Sequence, residues 1–341
     1  MRRARAHGLV LGLTCFVLGL GGAVPAAASP DPCASSATLS PCFDADPWWV
    51  PTGPTPFAGV PSARTLPRGA LGLVLGLGLS TDPVVLVSAS PHPDGQEIDA
   101  VEATSTVTLG ARYGLGQGID VGVALPFVPY QTGAGIESVT SQAPASLDPV
   151  ALRDPRLGFT ATLLGREPRS PLSLATHLEL ALPLGHAAAF AGAAGFTVAP
   201  GFTGQLSLDR LELALDLGLR LTRAVSLGTV REGSSGVVAL GVSVAVLRAP
   251  LLAVGVEAVL RPNLVGTAPG APAGALDLPA EWLGSVRFVP DERWALLAGA
   301  GTGLPLSRSG NPDAANEAAF GVTAPAFRAL FTARYTLPDA F

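Results

Sequence analysis

Lysine is absent from this chain of 341 residues, so all 21 basic residues are arginines. This absence excludes chemistry that needs a side-chain amine, including the phosphate-binding lysine of nucleotide-hydrolysing loops, Schiff bases and the Ser-x-x-Lys pair. Charged residues make up only 14% of the chain, the net charge is -5, and no basic cluster follows the first five residues. No nucleic-acid partner is expected, because such a partner would require a basic surface.

Long apolar runs are also missing once the first residues are passed. Three arginines in the first five residues precede an apolar stretch over residues 8–24 and small residues at 26–28, which predicts a signal peptide over residues 1–28. Beyond it, no run of 18 apolar residues is free of charge and proline, which argues against membrane-spanning helices. Because the chain is nevertheless 48% hydrophobic, a closed β-barrel is the remaining fold that satisfies a backbone in lipid.

Alternation of apolar residues with small or polar ones dominates the chain from residue 67 onward. Leucine occupies every second position over Leu71–Leu79 and again over Leu211–Leu221. Twelve such runs can be recognised, of which the weakest contain Pro200 or cover residues 292–303. The pattern predicts an all-β fold, namely a transmembrane antiparallel β-barrel of about 12 strands over residues 67–341.

The connections between the runs predict how this barrel is oriented. Long connections at 81–102, 129–153 and 304–325 alternate with short ones such as 116–118 and 209–210. Short periplasmic turns and long outer loops are typical of barrels in the bacterial outer membrane, where the outward face contacts lipid. An even number of strands would place both chain ends on the periplasmic side. A water-soluble β-sandwich or a lipocalin is the alternative, and neither would explain this alternation of connection lengths.

Residues 29–66 lack the alternation and are rich in proline, which predicts an irregular periplasmic lead-in to the barrel. The segment contains the adjacent Trp48 and Trp49 and two cysteines, Cys33 and Cys42. In an oxidising compartment this even pair predicts a disulfide that staples the segment, with a redox-active or ligand-binding thiol pair as the alternative.

Charged residues recur on the face of the runs opposite the leucines. A charge facing lipid at the bilayer midplane costs about 2–4 kcal/mol, so these side chains are expected to face the lumen. Two interpretations remain open: mutually paired charges that leave a narrow lumen, or a polar constriction that selects solutes. The predicted lumen-facing charges are Arg112, Asp120, Glu179, Glu212, Asp216, Arg220, Glu257, Arg261, Glu281, Arg287, Arg328 and Arg334.

Signals of catalysis, metals and cofactors are weak. The histidines that remain after signal cleavage, His92, His177 and His186, are scattered, and none begins the His-x-Ser arrangement of outer-membrane acyl hydrolases. Ser309 has no histidine near it in sequence, no Cys-x-x-Cys occurs, and the glycine pairs complete no dinucleotide-binding motif. We therefore expect no enzyme activity, no metal site and no cofactor.

Several short segments resemble a known group of proteins. Residues 111–126, ARYGLGQGIDVGVALP, resemble a strand-turn-strand phrase of Gram-negative outer-membrane barrels. The segments 153–158, 182–185 and 325–328 follow in the order seen in barrels described as transporters of the phenol-degradation MetA pathway and in the barrels that precede OmpA-type domains in myxobacteria. The resemblance covers residues 69–337.

This resemblance implies a channel or transporter for small solutes, including hydrophobic or aromatic ones. Two alternatives belong to other classes: a non-conducting structural or surface-interaction barrel, and an outer-membrane acyl hydrolase. The aromatic residues near the C-terminus also resemble the signal read by the barrel-assembly machinery, with the signal strand ending at Tyr335 or Leu337.

Overall fold

Twelve antiparallel strands close into a barrel in the computed structural model of the chain, as the sequence predicts. The first strand closes the ring by pairing with both the second strand and the last. The strands are β1 (Leu71–Ser88), β2 (Gln96–Gly116), β3 (Ile119–Thr132), β4 (Arg156–Leu164), β5 (Leu172–Ala181), β6 (Thr197–Ser207), β7 (Leu211–Arg220), β8 (Ser235–Arg248), β9 (Leu251–Leu260), β10 (Ala280–Val289), β11 (Trp294–Gly303) and β12 (Phe327–Leu337).

The described part of the chain does not include the predicted signal peptide, residues 1–28. The structure describes residues 33, 40–88, 96–136, 147–167, 170–227, 230–265, 278–304, 319–322, 324–338 and 340. Within these ranges, no helix is long and apolar enough to span a membrane.

Side chains alternate across the barrel wall because successive residues of a strand point to opposite faces. In β1, Leu73, Leu75 and Leu77 point outward and are about two-fifths exposed, whereas Val74 between them is only 4% exposed. The outward leucines of β7 repeat the pattern. The barrel therefore presents an apolar band to lipid and turns its small and polar residues inward.

The two ends of the barrel differ in their connections. The short-turn end carries the connections 117–118, 165–171, 208–210, 249–250 and 290–293. The other end, the long-loop end, carries the longer connections and most of the additional structure within the described residues. This consists of short strands at Ala151–Leu152, Val225–Leu227, Val230–Glu232 and Ala319–Val322, and a 3-10 helix at Ala187–Ala189.

The expected loop over 81–102 is mostly strand, because β1 continues to Ser88 and β2 begins at Gln96. The β1–β2 register shifts between Thr81 and Val84, and Asp82 between them has a φ of 51°. Such a bulge accommodates Pro83, which has no N–H for the ladder. The sheet therefore extends further at the long-loop end than the alternation predicts.

Other strand boundaries also differ from expectation. β3 runs to Thr132, into the predicted loop 129–153. The segment containing Pro200 and the segment 292–303, the two weakest runs, both form regular strands. At Pro200 the ladder with β5 continues without a register shift. The ladder with β7 stops at Gly201 and is followed only by an isolated bridge between Val198 and Leu221, so the proline lies where no N–H is donated to β7.

The expectation that residues 29–66 lie in the periplasm is wrong for the described residues 40–66, hereafter called the lead-in. The lead-in lies inside the barrel, with Trp48, Phe57 and Val60 buried against the inner wall. It begins at the long-loop end. The physical reason is that many inner-wall residues are small. They leave space in the lumen, which the apolar side chains of the lead-in can fill.

Candidate functional site

The lead-in passes through the lumen from the long-loop end to the short-turn end. Phe43 packs with Leu86 in an apolar cluster at the long-loop end. Further along, Val50 approaches the inner face of β1, where a Cβ added to Gly76 would lie 3.2 Å from its methyl carbon. Leu66 is buried at the short-turn end, close to the first residue of β1. The candidate functional site is therefore the occupied lumen.

Small residues of the inner wall create the space for the lead-in. Phe57 and Val60 pack against Ala214 and Ala239 of the neighbouring strands β7 and β8. A Cβ added to Gly241 would lie only 2.6 Å from the Phe57 ring, so glycine is required at this position for the ring to fit. The alternation in sequence thus produces an apolar band that faces lipid. It also produces an inner surface of small residues, against which the lead-in packs.

Side chains of the wall supply the hydrogen bonds that the lead-in backbone cannot make for itself. Between Pro47 and Leu66, the described residues form no backbone–backbone hydrogen bond with the wall. Instead, the Glu257 carboxylate accepts the N–H groups of three consecutive residues, 58, 59 and 60, at 2.6, 2.8 and 3.3 Å. Arg334 donates to the carbonyls of residues 55 and 57 at 3.1 and 3.0 Å. Proline suits this environment because each one removes a donor that would need a partner.

A network of charges fixes the lead-in at Asp46. Its carboxylate accepts bonds from Arg328 at 2.8 Å, Arg153 at 3.1 Å and the Thr106 hydroxyl at 2.9 Å. Arg328 also donates to Glu281 at 2.6 Å, so two acids share this buried guanidinium. A buried pair of this kind is costly to break, because the remaining charge loses its partner.

A second pair lies closer to the short-turn end. Arg112 donates to Asp120 at 2.8 Å and to Thr52 of the lead-in at 3.1 Å. The other oxygen of Asp120 accepts the N–H of Leu66 at 3.1 Å. Both members of this ion pair therefore also hold the lead-in.

The remaining predicted charges, apart from Arg220, have charged or histidine partners on the wall. Arg261 donates to Glu281 at 2.9 Å. Arg287 faces Glu212 at 3.7 Å, and neither contacts the lead-in through a hydrogen bond or ion pair within the described residues. The other three are Glu179, bound by Arg156 at 2.9 Å, Asp216, bound by His177 at 2.8 Å, and Arg220, which donates to Pro47 O at 2.6 Å.

The sequence reasoning missed several charged residues that hold the lead-in, among them Asp46, Arg153 and Arg156. Arg156 directly precedes the outward Leu157, so the period-two rule applied to that run would have placed it inward. Asp46 and Arg153 lie outside any alternating run, so that rule does not mark them.

The long-loop end closes over the start of the lead-in. Cys33 and Cys42 form a disulfide with Cα atoms 5.5 Å apart, as expected from the even cysteine pair. Phe43 and Phe190 meet edge to face with ring centroids 5.2 Å apart. Asp154 orders the loop that carries Phe190 by accepting the N–H groups of residues 185 and 193, each at 2.8 Å. Burial raises the pKa of the Asp154 carboxyl, an effect that these two hydrogen bonds oppose.

The histidines have structural partners where they are described. His177 bonds Asp216, which also accepts from the Thr203 hydroxyl at 2.7 Å, and His186 Nδ1 accepts the N–H of Leu152 at 3.2 Å. His92 and the segment 309–311 lie outside the described residues. Within the described ranges no group of three or more His, Cys, Asp or Glu side chains could hold a metal ion.

Two cavities beside the lead-in both border Trp49. One has a volume of about 80 Å³ and extends toward the short-turn end past His177. The other, of about 100 Å³, extends toward the long-loop end past Cys42. The Trp49 ring lies against two guanidinium groups, with Arg220 Cζ at 4.0 Å and Arg156 Cζ at 4.7 Å from the ring centroid. These distances are typical of cation–π contacts.

A closed antiparallel barrel with an apolar outer band and a polar, charge-lined lumen is the porin-like fold of bacterial outer-membrane β-barrels. The fold is similar to that of an outer membrane channel from Pseudomonas putida F1, with a TM-score of 0.56 and 15% sequence identity over 81% of this chain and 98% of that chain. The KdgM porin and the NanC porin align with TM-scores of 0.43 and 0.45, each at 8% identity, over 77% and 78% of this chain and 98% and 100% of theirs. No protein-family profile and no curated protein matches the sequence.

Proposed function

We propose that the protein is an outer-membrane channel for small solutes whose lumen is closed by the lead-in and opens when the lead-in moves. The observation that carries this proposal is the way the lead-in is held. From Pro47 to Leu66 it is bound by wall side chains and not by the strand ladders. The lead-in can therefore leave the lumen without breaking the hydrogen bonds that close the barrel.

The size of the remaining cavities limits what passes while the lead-in is in place. Cavities of about 80 and 100 Å³ are smaller than the roughly 150 Å³ cavity that accommodates benzene. The aromatic cargo implied by the resemblance to MetA-pathway transporters would therefore need the lead-in to move.

Locking the lead-in to the wall tests this function. A Cβ at Gly76 would lie 3.2 Å from a Val50 methyl carbon, a separation close to that between the Cβ of one half-cystine and the sulfur of the other. The full chain carrying Val50→Cys and Gly76→Cys is recorded in planar bilayers, first oxidised and then after dithiothreitol. We expect no openings in the oxidised protein and openings after reduction.

The controls separate the effect of the new disulfide between residues 50 and 76 from other effects of the reductant. The protein without the new cysteines is recorded with and without dithiothreitol, because the reductant also reaches Cys33 and Cys42. The Val50→Cys single variant controls for the substitution. Equal conductance of the oxidised and reduced double variant, with the new disulfide verified by mass, would contradict gating by the lead-in.

A non-conducting barrel is the second candidate function. It is favoured by the network at Asp46, in which Arg153 and Arg328 are both buried and paired with the carboxylate. Absence of conductance in every redox state, with the barrel verifiably folded, would support this structural role.

A further inference from the structure

The two cavities beside the lead-in share one boundary, and that boundary is positively charged. Four residues line both cavities: Pro47 and Trp49 of the lead-in, and Arg220 and Arg261 of the wall. Arg156 lines the cavity on the long-loop side and contacts the Trp49 ring from there. Three guanidinium groups therefore surround the point where one cavity gives way to the other.

Two of the three guanidinium groups have carboxylate partners within ion-pair distance. Arg156 is paired with Glu179 at 2.9 Å, and Arg261 is paired with Glu281 at 2.9 Å. Glu281 is also shared with Arg328, which reduces what it contributes to Arg261.

Arg220 forms no ion pair with any residue in the described ranges. Its contacts are one hydrogen bond to Pro47 O at 2.6 Å and the face of the Trp49 ring. A guanidinium has five N–H donors in a planar fork, so these two contacts leave donors available to a ligand.

The acidic residues that line the cavities have partners of their own. Asp216 is bound by His177 and Thr203, and Asp44 is bound by Arg153 at 2.6 Å. Glu232, on the long-loop side, also has an interaction partner. Neither Asp216 nor Asp44 forms an ion pair with Arg220.

We propose that Arg220, between the two cavities, binds a small carboxylate of about the size of acetate. A carboxylate matches the guanidinium fork through two parallel hydrogen bonds, and the charge of Arg220, which has no ion pair among the described residues, favours an anion over a neutral solute. Each cavity is smaller than the roughly 150 Å³ cavity that accommodates benzene, which favours a small solute while the lead-in is in place. This inference rests on the proposed channel function and specifies its solute class: small organic anions that meet Arg220 on the way through the lumen.

Binding is tested on the full chain in zwitterionic detergent with trifluoroacetate as the probe, by the broadening of its ¹⁹F NMR line. We expect the protein to broaden the trifluoroacetate line, acetate to reverse the broadening, and the neutral trifluoroacetamide line to stay sharp. Arg220→Gln should weaken trifluoroacetate binding at least tenfold. Arg248→Gln is the matched control, because Arg248 is exposed and paired with Asp209 at the short-turn end.

Two results would overturn the site. One is equal broadening of trifluoroacetate and trifluoroacetamide by the unsubstituted protein, a comparison that does not depend on the folding of any variant. The other is unchanged trifluoroacetate binding in a folded Arg220→Gln protein. If Arg220→Gln does not fold, Trp49→Leu is used in its place. Removing the Trp49 ring frees the Arg220 guanidinium, so trifluoroacetate binding should be kept or strengthened. Loss of trifluoroacetate binding in a folded Trp49→Leu protein would also overturn the site.

The outcome can be separated from that of the channel experiment. Binding that depends on Arg220 in a protein that never conducts would retain the site and reject the channel. Conductance that appears only after reduction of the new disulfide, together with equal broadening of trifluoroacetate and trifluoroacetamide, would support the channel and contradict the binding site.

Discussion

Replacing Glu257 by glutamine should loosen the lead-in. The carboxylate is 1% exposed and accepts three N–H groups, one at Oε1 and two at Oε2. Glutamine has a single acceptor oxygen, so at least one N–H would face the amide NH₂ and the others would bind a neutral acceptor. Hydrogen bonds to charged groups contribute about 1.5–3 kcal/mol each and neutral ones about 1 kcal/mol, so the loss is about 3 kcal/mol.

A loss of about 3 kcal/mol corresponds to a roughly hundredfold rise in the population of the released lead-in. Hydrogen–deuterium exchange of the intact chain measures this population directly. Peptides covering residues 55–63 should exchange about 100-fold faster in Glu257→Gln, whereas peptides from β9, where Glu257 resides, should keep their protection. Glu212→Gln is the control, since it removes the same charge from the inner wall without removing a hydrogen bond to the described lead-in.

Protection of residues 55–63 equal to that of the unsubstituted protein, in a folded Glu257→Gln barrel, would show that the carboxylate does not hold the lead-in. A loss of protection across the whole barrel would show that it supports the wall instead.

Two further perturbations act at other points of the lead-in. Serine in place of Cys33 and Cys42 should speed hydrogen–deuterium exchange over residues 40–46 and leave that of residues 55–63 unchanged, because the wall holds residues 55–63 independently. Equal effects on both peptides would contradict this. Gly241→Ala places a methyl group 2.6 Å from the Phe57 ring and should cost about 1–3 kcal/mol of lead-in binding, seen as faster exchange over residues 55–63. Gly284→Ala, whose methyl group would lie 3.7 Å from its nearest neighbour, should have no effect, and equal exchange in the two variants would refute the steric argument.

The lipid-facing side of the barrel could be predicted from the sequence with few errors. Period-two alternation is a local property, and the run Leu71–Leu79 alone shows which side chains point outward. The strand ends could not be predicted in the same way. A proline usually indicates the end of a strand, but a bulge such as the one at Asp82 lets pairing continue past it.

The sequence also indicated which charges would avoid lipid, although it left open what they would meet inside. Every partner of Glu257 within the lead-in lies almost 200 positions away in the chain, and Asp46 and Arg328 are separated by 282 positions. Nothing in local composition or spacing connects residues so far apart, and charge pairing by itself does not select one partner among twelve candidates.

The sequence by itself determined the strand periodicity, the outer apolar band and the cysteine pair, because each depends on residues within a few positions of one another. The tertiary structure decided that the lead-in occupies the lumen, that wall side chains replace a strand ladder along it, and that Arg220 remains without an ion pair among the described residues. These features exist only after the barrel has closed, since closure brings β1 against β12 and encloses the space that the lead-in fills.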